Sequence, residues 1–285
     1  MRGLFFVLIL VPVLGFSQNR LHLNFMGGFA NYQGDLQSKR FTMDQSNAVF
    51  GMGVKYDLSS HFALRSGINY GSLSASDKLN KASLQARNLS FRTRLLEFNL
   101  LAEYTLFDLE ERRVSPYAFA GLALYRFNPY ANDTLGNKIY LQPLSTEGQG
   151  LSQYPDIEEY GLTQFAVPFG IGLKLRVSEN AVLGLEGGMR KLFTDYLDDV
   201  SGRYIDQNVL VAERGPKAVE MAYRGGELKD AAASYPPAGT LRGSSKFKDW
   251  YYFSGITLTI GINTGSGFGT GSGRKGNMGC PTGVL

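Results

Sequence analysis

Large apolar side chains alternate with small or polar ones in run after run of this chain. A period of two marks β-strands with unlike faces. The clearest run sets Phe165, Val167, Phe169, Ile171, Leu173, Leu175 and Val177 against Gln164, Pro168, Gly170, Gly172, Lys174 and Arg176. The alternation recurs near 21–29, 48–57, 61–72, 92–106, 116–127, 181–193 and 250–262, which predicts eight strands. The run near 116–127 is the least regular, and Tyr117, Phe119, Tyr125 and Phe127 are assigned to its apolar face. The connections at 33–47, 73–91, 128–163 and 194–249 are long, and those at 58–60, 107–115 and 178–180 are short. Short turns on one side and long loops on the other fit a barrel in the outer membrane, long loops outside.

The N-terminus has the pattern of a secretory signal. Arg2 is followed by an apolar stretch from Leu4 to Leu14, then by Gly15, Phe16 and Ser17, which places a cut before Gln18. Beyond it no apolar run approaches the roughly 20 residues that a membrane helix needs. The expected division is a signal over 1–17, a barrel over 18–263 and a glycine-rich tail over 264–285 that returns to the periplasm.

Alternation alone does not say which face is inside. The bulky set is too large to fit within eight strands, whose interior is only just wide enough for side chains to fill. The opposite set carries many glycines together with Lys55, Arg65, Glu97, Glu103, Lys174, Arg176, Glu186 and Arg190. These charges are expected to pair across the lumen, because an unpaired ion in a dry core costs several kcal/mol. The bulky set should then meet lipid. Trp250 to Phe253, Tyr125, Phe127 and Tyr70 lie at strand ends, where amphipathic rings form girdles at the headgroup level. A filled barrel of this size leaves no wide pore.

Thirty-five glycines and 13% aromatics agree with β structure, and a net charge of +4 without a basic stripe gives no support for nucleic-acid binding. The two histidines, His22 and His61, have no thiol or second imidazole at ligand spacing. No nucleophile elbow or phosphate-binding loop is present, and the glycines of 265–273 lead into no apolar helix, so they are read as a linker. No enzyme, cofactor or metal is therefore expected. Asp195, Asp198 and Asp199 are read as the start of a solvated, turn-forming loop, with weak calcium binding as the sharper alternative. Cys280 is the one cysteine, and either an intermolecular disulfide or an inert thiol fits it.

Several pieces look like a known family. They include Asn31-Tyr32-Gln33-Gly34-Asp35-Leu36, Arg65-Ser66-Gly67-Ile68-Asn69-Tyr70-Gly71, Arg94-Leu95-Leu96-Glu97-Phe98 and Pro116-Tyr117-Ala118-Phe119-Ala120-Gly121. Leu141-Gln142-Pro143-Leu144, Glu147-Gly148-Gln149-Gly150, Ala166-Val167-Pro168-Phe169-Gly170, Thr194 to Ser201, Arg242-Gly243 and Asp249 to Phe253 complete the set. As an ensemble the chain resembles the PorG-type outer-membrane barrels of the type IX secretion system. The resemblance implies a non-enzymatic barrel that anchors a periplasmic ring made of a lipoprotein and its partner subunit. Residues that would face such a ring are Glu110 and Arg112 in a short turn, and Arg274, Lys275 and Cys280 in the tail. The competing expectations are a small barrel that binds or passes small molecules, a general structural barrel, and a barrel enzyme using Asp195, Asp198 or His22.

Overall fold

The computed structural model describes residues 20–39, 42–228 and 234–262. The expected signal at 1–17 and tail at 264–285, with Arg274, Lys275 and Cys280, lie outside the described residues.

Eight long strands make the wall. They are β1 (Leu21–Gln33), β2 (Asn47–Asp57), β3 (Phe62–Ser76), β4 (Ser90–Thr105), β5 (Val114–Arg126), β8 (Thr163–Arg176), β9 (Ala181–Leu192) and β10 (Trp250–Gly261). Each pairs antiparallel with its neighbours in the order β3-β2-β1-β10-β9-β8-β5-β4, and a β3–β4 ladder closes the ring. The β1–β10 seam runs from His22↔Gly261 to Gln33↔Trp250. The wall is therefore a closed eight-stranded antiparallel β-barrel. Two short strands, β6 (Tyr130–Asn132) and β7 (Lys138–Tyr140), form a hairpin above β4.

Connections alternate strictly. Residues 58–61, 106–113 and 177–180 turn at one end, while 34–46, 77–89, 127–162 and 193–249 loop at the other. The β3–β4 ladder continues to Ser76↔Ser90, which shortens that loop relative to the expected 73–91.

The bulky face is outside. Phe50, Met52 and Val54 on β2, Phe98 and Leu100 on β4, Ile171 and Leu173 on β8, Leu185 on β9 and Ile256 on β10 are all exposed. A continuous apolar exterior of this kind has no stable contact with water, and it is the surface a barrel presents to acyl chains. The barrel is thus a membrane-spanning one. No helix among the described residues is long and apolar enough to cross.

Strand β5 corrects the expectation. Tyr117, Phe119, Tyr125 and Phe127 point inward and are buried, while Val114, Leu122 and Leu124 are outside. The cause lies on the facing strands. A Cβ at Gly172 would sit 2.5 Å from the Tyr117 ring, and Cβ atoms at Gly170 and Gly188 would each sit 2.6 Å from Phe119. These inward glycines are the slots into which two rings fit. Of the rings assigned to girdles, exposed Tyr70 and half-buried Trp250 lie on the outer wall, where Trp250 meets Phe169 edge-on at 6.2 Å. The girdle assignment fails for Tyr125, Phe127, Tyr251 and Phe253, which fill the lumen near the long loops. Tyr252 is roofed by the β1–β2 loop, where its hydroxyl bonds the Thr42 carbonyl at 3.0 Å.

The long loops pack into a folded cap, which the alternation of the strands does not foretell. The β3–β4 loop holds a single turn, α1 (Ala82–Gln85). The β9–β10 loop contains α2 (Gln207–Arg214) and α3 (Pro216–Ala222). Asp206 caps α2 by accepting from the amides of Asn208 and Val209. Gly215, at φ +82°, then ends that helix, and Pro216 starts α3. Leu151, Ile205, Leu210, Ala218 and Ala222 give the cap its own apolar core.

Candidate functional site

Two polar systems occupy the axis of the barrel, one inside the wall and one above it. Within the wall, Arg65 on β3 donates to Glu186 on β9 at 2.8 and 3.4 Å. Tyr117 donates to the same carboxylate at 2.7 Å. Lys174 on β8 donates to Glu103 on β4 and, at 2.8 Å, to Thr105, with its ammonium 4.5 Å from the Tyr117 ring. Lys55 on β2 bridges Glu103 at 3.4 Å and Asp57 at 3.0 Å. Nearer the long loops, Glu97 on β4 accepts from Arg190 at 3.1 Å, Tyr251 at 2.7 Å, Asn69 at 2.7 Å and Asn99 at 2.9 Å. The Arg190 guanidinium lies 4.0 Å from the centre of the Phe253 ring.

Four cations, Lys55, Arg65, Lys174 and Arg190, thus meet four carboxylates, Asp57, Glu97, Glu103 and Glu186. Each carboxylate is satisfied by fixed donors, the condition under which buried ions persist. Of the eight charges singled out in the sequence, seven meet in these groups and Arg176 does not. Arg176 lies at the short-turn mouth, where its guanidinium reaches the Leu109 carbonyl at 3.1 Å and no network acid. The reason is its place at the last position of β8, past the level of Glu103. Between the Glu186 and Glu97 groups the remaining space, lined by Asn24, Met26, Asn69, Asn99 and Leu101, is only 20 Å³. That holds about one water. The lumen is plugged by its own side chains.

At the short-turn mouth a 710 Å³ vestibule opens, lined among others by His22, His61, Asp57, Asp108 and Glu110. His22 lies 2.6 Å from Asp57, and His61 Nδ1 lies 2.9 Å from the Thr105 carbonyl. Glu110 lines this vestibule, and Arg112 lies in the same turn with its guanidinium 4.3 Å from the Phe107 ring centre.

Above the wall sits a buried acidic group within the cap. Asp195, Asp198 and Asp199 are all buried, which corrects the expectation of a solvated loop start. They point to separate partners. Asp195 accepts from Ser201 at 2.7 Å, and Asp199 accepts from Thr146 at 2.6 Å and Tyr160 at 2.7 Å. Among the described residues no three acid, His or Cys side chains are placed to hold one metal ion. The Tyr32 hydroxyl lies 2.6 Å from Asp198 and 2.8 Å from Asp249. One phenolic hydrogen cannot serve two carboxylates, so one of the acids keeps a proton and donates it to the phenol oxygen. Burial, and then repulsion from Asp35 on Asp198 and from Asp198 on Asp249, holds both acids well above the ordinary carboxylate range. Burial pushes Asp195 up to about 7. It pushes Asp199 up to about 6, with Arg242 opposing. Arg242 also pairs with Glu147 at 2.9 Å. His22, at the opposite mouth, is not part of this group, so the three residues of the enzyme alternative do not converge.

The chain matches the model of a domain of unknown function, DUF6089, over residues 2–211. The chain belongs to the DUF6089 family. No curated protein matches it. Among solved structures the DUF6089 barrel is similar to the Neisserial surface protein NspA, at 10% identity and TM-score 0.41, over 85% of this chain and 97% of that one. It is similar to OprG of Pseudomonas aeruginosa at 9% identity and TM-score 0.37, over 85% and 96%. It is also similar to the outer membrane protease OmpT of Escherichia coli at 10% identity and TM-score 0.35, over 88% and 99%. These likenesses are of general architecture.

Proposed function

We propose that this DUF6089 barrel is a non-enzymatic structural component of the outer membrane, with its long loops outside and its short turns in the periplasm. The observation that supports this is the plugged axis. Four ion-paired cations and inward rings fill the wall, and a packed cap lies over it. A barrel sealed twice is suited to holding a position rather than to carrying solute.

The resemblance to PorG-type barrels points to a specific role, in which the barrel anchors the periplasmic ring of a type IX secretion machine through its short turns and its tail. Glu110 and Arg112 are exposed beside the vestibule. Arg274, Lys275 and Cys280 in the tail are the other proposed contacts, Cys280 through an intermolecular disulfide with a ring subunit. The test is co-purification of the full chain from native membranes after crosslinking. Ring subunits should be recovered with it, and deletion of 264–285 should abolish their recovery while the barrel stays inserted. Recovery unchanged by the deletion refutes the tail as the contact, and no ring subunit at all refutes the anchoring role.

A second reading, lateral passage of small molecules, draws on Pro168. Opposite Val167 and Pro168 the β5–β8 ladder skips Gly121 and Leu122, since proline has no amide hydrogen to give. Steps of conductance in planar bilayers, or uptake lost in Pro168→Val, favour this reading over the first.

A further inference from the structure

The outer face of β4 and β5 changes character abruptly at the long-loop end. Below that level it is apolar, with Leu96, Phe98 and Leu100 on β4 and Leu122 and Leu124 on β5. Immediately above come Arg92 and Arg94 on β4 and Arg126 on β5, all three exposed. Arg126 stands directly opposite Leu96, and Arg94 is the next outward residue along β4. The β6–β7 hairpin folds over the same face and adds Lys138, whose ammonium lies 3.9 Å from the Tyr130 ring centre and 2.9 Å from the Tyr140 hydroxyl.

Arg94, Arg126, Lys138, Tyr70, Tyr130 and Tyr140 line one 240 Å³ groove, and no acid lines it. None of Arg92, Arg94, Arg126 or Lys138 has an acidic partner within ion-pair distance among the described residues, although Lys55, Arg65, Lys174 and Arg190 each have one. Neighbouring strands are mild at this level: Ser72 and Ser74 face Arg94 and Arg92 from β3, and Thr163 faces Arg126 from β8. Four cations without counter-ions repel one another, so the gathering of three on β4 and β5 with Lys138 on the β6–β7 hairpin calls for an anion from elsewhere. An arginine facing lipid costs about 2–4 kcal/mol at the bilayer midplane but about 0–1 kcal/mol at the interface. These arginines stand at the long-loop edge of the apolar band, the level that headgroups would occupy.

We infer that this groove binds the anionic, phosphate-bearing headgroup of a lipid in the outward leaflet, with its acyl chains against Leu96, Phe98 and Leu124. Guanidinium forks match phosphate oxygens two at a time. The tyrosines supply hydroxyls and ring faces at the headgroup level. The inference rests on the membrane orientation proposed above, long loops outward.

The test uses the full chain in phosphatidylcholine nanodiscs doped with diphosphoryl lipid A, with retained lipid counted by native mass spectrometry. Wild type should retain lipid A, and Arg92→Gln/Arg94→Gln/Arg126→Gln should retain at least about ten-fold less. Lys191→Gln, an outward cation on β9 at the same end of the barrel, should retain as much as wild type. The three arginines are exposed and have no ion-pair partner among the described residues to lose, so the heat-modifiable gel shift of the folded barrel should be unchanged. Equal retention by the triple variant overturns the site, and so does an equal loss in Lys191→Gln, which reports diffuse charge. Displacement by inorganic pyrophosphate overturns the lipid as source in favour of a free phosphate ligand. A wild-type chain that inserts and folds but retains no lipid A refutes the site alone. A chain that never inserts refutes the membrane reading itself.

Discussion

The lumen and the cap both bury many ionisable groups, yet they solve the problem in opposite ways. In the lumen each carboxylate faces a fixed cation, as Glu97 faces Arg190 and Glu186 faces Arg65. In the cap Asp198 and Asp249 share one phenol, and Asp195 has a carboxyl oxygen with no partner. The lumen is held by charge, whereas these three cap acids rely on retained protons, alongside the Arg242–Glu147 pair. The acid group of the cap should therefore respond to pH through its retained protons.

The largest expected effect attacks the charge-held half. Glu97→Ala strands the Arg190 guanidinium in a dry interior, and breaking such a pair costs about 3–5 kcal/mol. Urea unfolding of the barrel in lipid vesicles measures it. A loss under about 1 kcal/mol would mean that water reaches Arg190 and that the lumen is wetter than its packing indicates.

Next comes the slot between β5 and β8. Gly172→Ala puts a methyl 2.5 Å from the Tyr117 ring and should destabilise by about 1–3 kcal/mol, as overpacking does. The double variant with Tyr117→Ala should recover part of that loss. Additive losses in the same urea series would show that the ring and the glycine are not a matched pair.

The cap is probed by pH. Asp195, Asp198, Asp199 and Asp249 have folded-state values raised above 3.8. Their contribution to cap stability is present in acid and is lost as pH rises through the folded values. For Asp199 and Asp195 the loss falls between about pH 4 and 7, and the Tyr32-linked pair, also raised, adds a loss of the same sign. The amides of Val200 and Leu197 donate to Asp198 and Asp249 at 2.9 Å. Their exchange protection, corrected for intrinsic rate, should fall as pH rises and these two acids ionise. Asp198→Asn should flatten the profile. A profile as flat in wild type would erase the contrast between the two regions.

The smallest effect belongs to the exposed turn. Glu110→Ala/Arg112→Ala should move barrel stability by less than about 0.5 kcal/mol. Loss of ring-subunit recovery without loss of stability would tie this turn to the partner.

The wall was legible in the sequence because lipid outside and charge inside both obey a period of two, as β8 shows residue by residue. Strand β5 was misread because it is apolar on both faces. Tyr117 carries a hydroxyl that Glu186 uses, so a bulky aromatic can belong to the charged side. The clue was present in Gly170, Gly172 and Gly188, but it lies on other strands and is visible only once the register is known. The cap was hidden for a different reason. Tyr32, Asp198 and Asp249 are far apart in sequence, and their acids resemble loop residues until they are seen to be buried together. The local signals Asp206, Gly215 and Pro216 could have disclosed α2 and α3.

The seam between β1 and β10 has a consequence for how the molecule is made. A ring has no free edge, but it gains that property only when its two most distant strands meet. Until then, each unfinished intermediate carries two rows of unsatisfied amides and carbonyls that hydrocarbon cannot hydrate. Insertion should accordingly be all-or-none, with synthesis of Trp250–Gly261 as the gate, and a ribosome stalled before that segment should yield chain that no bilayer will accept.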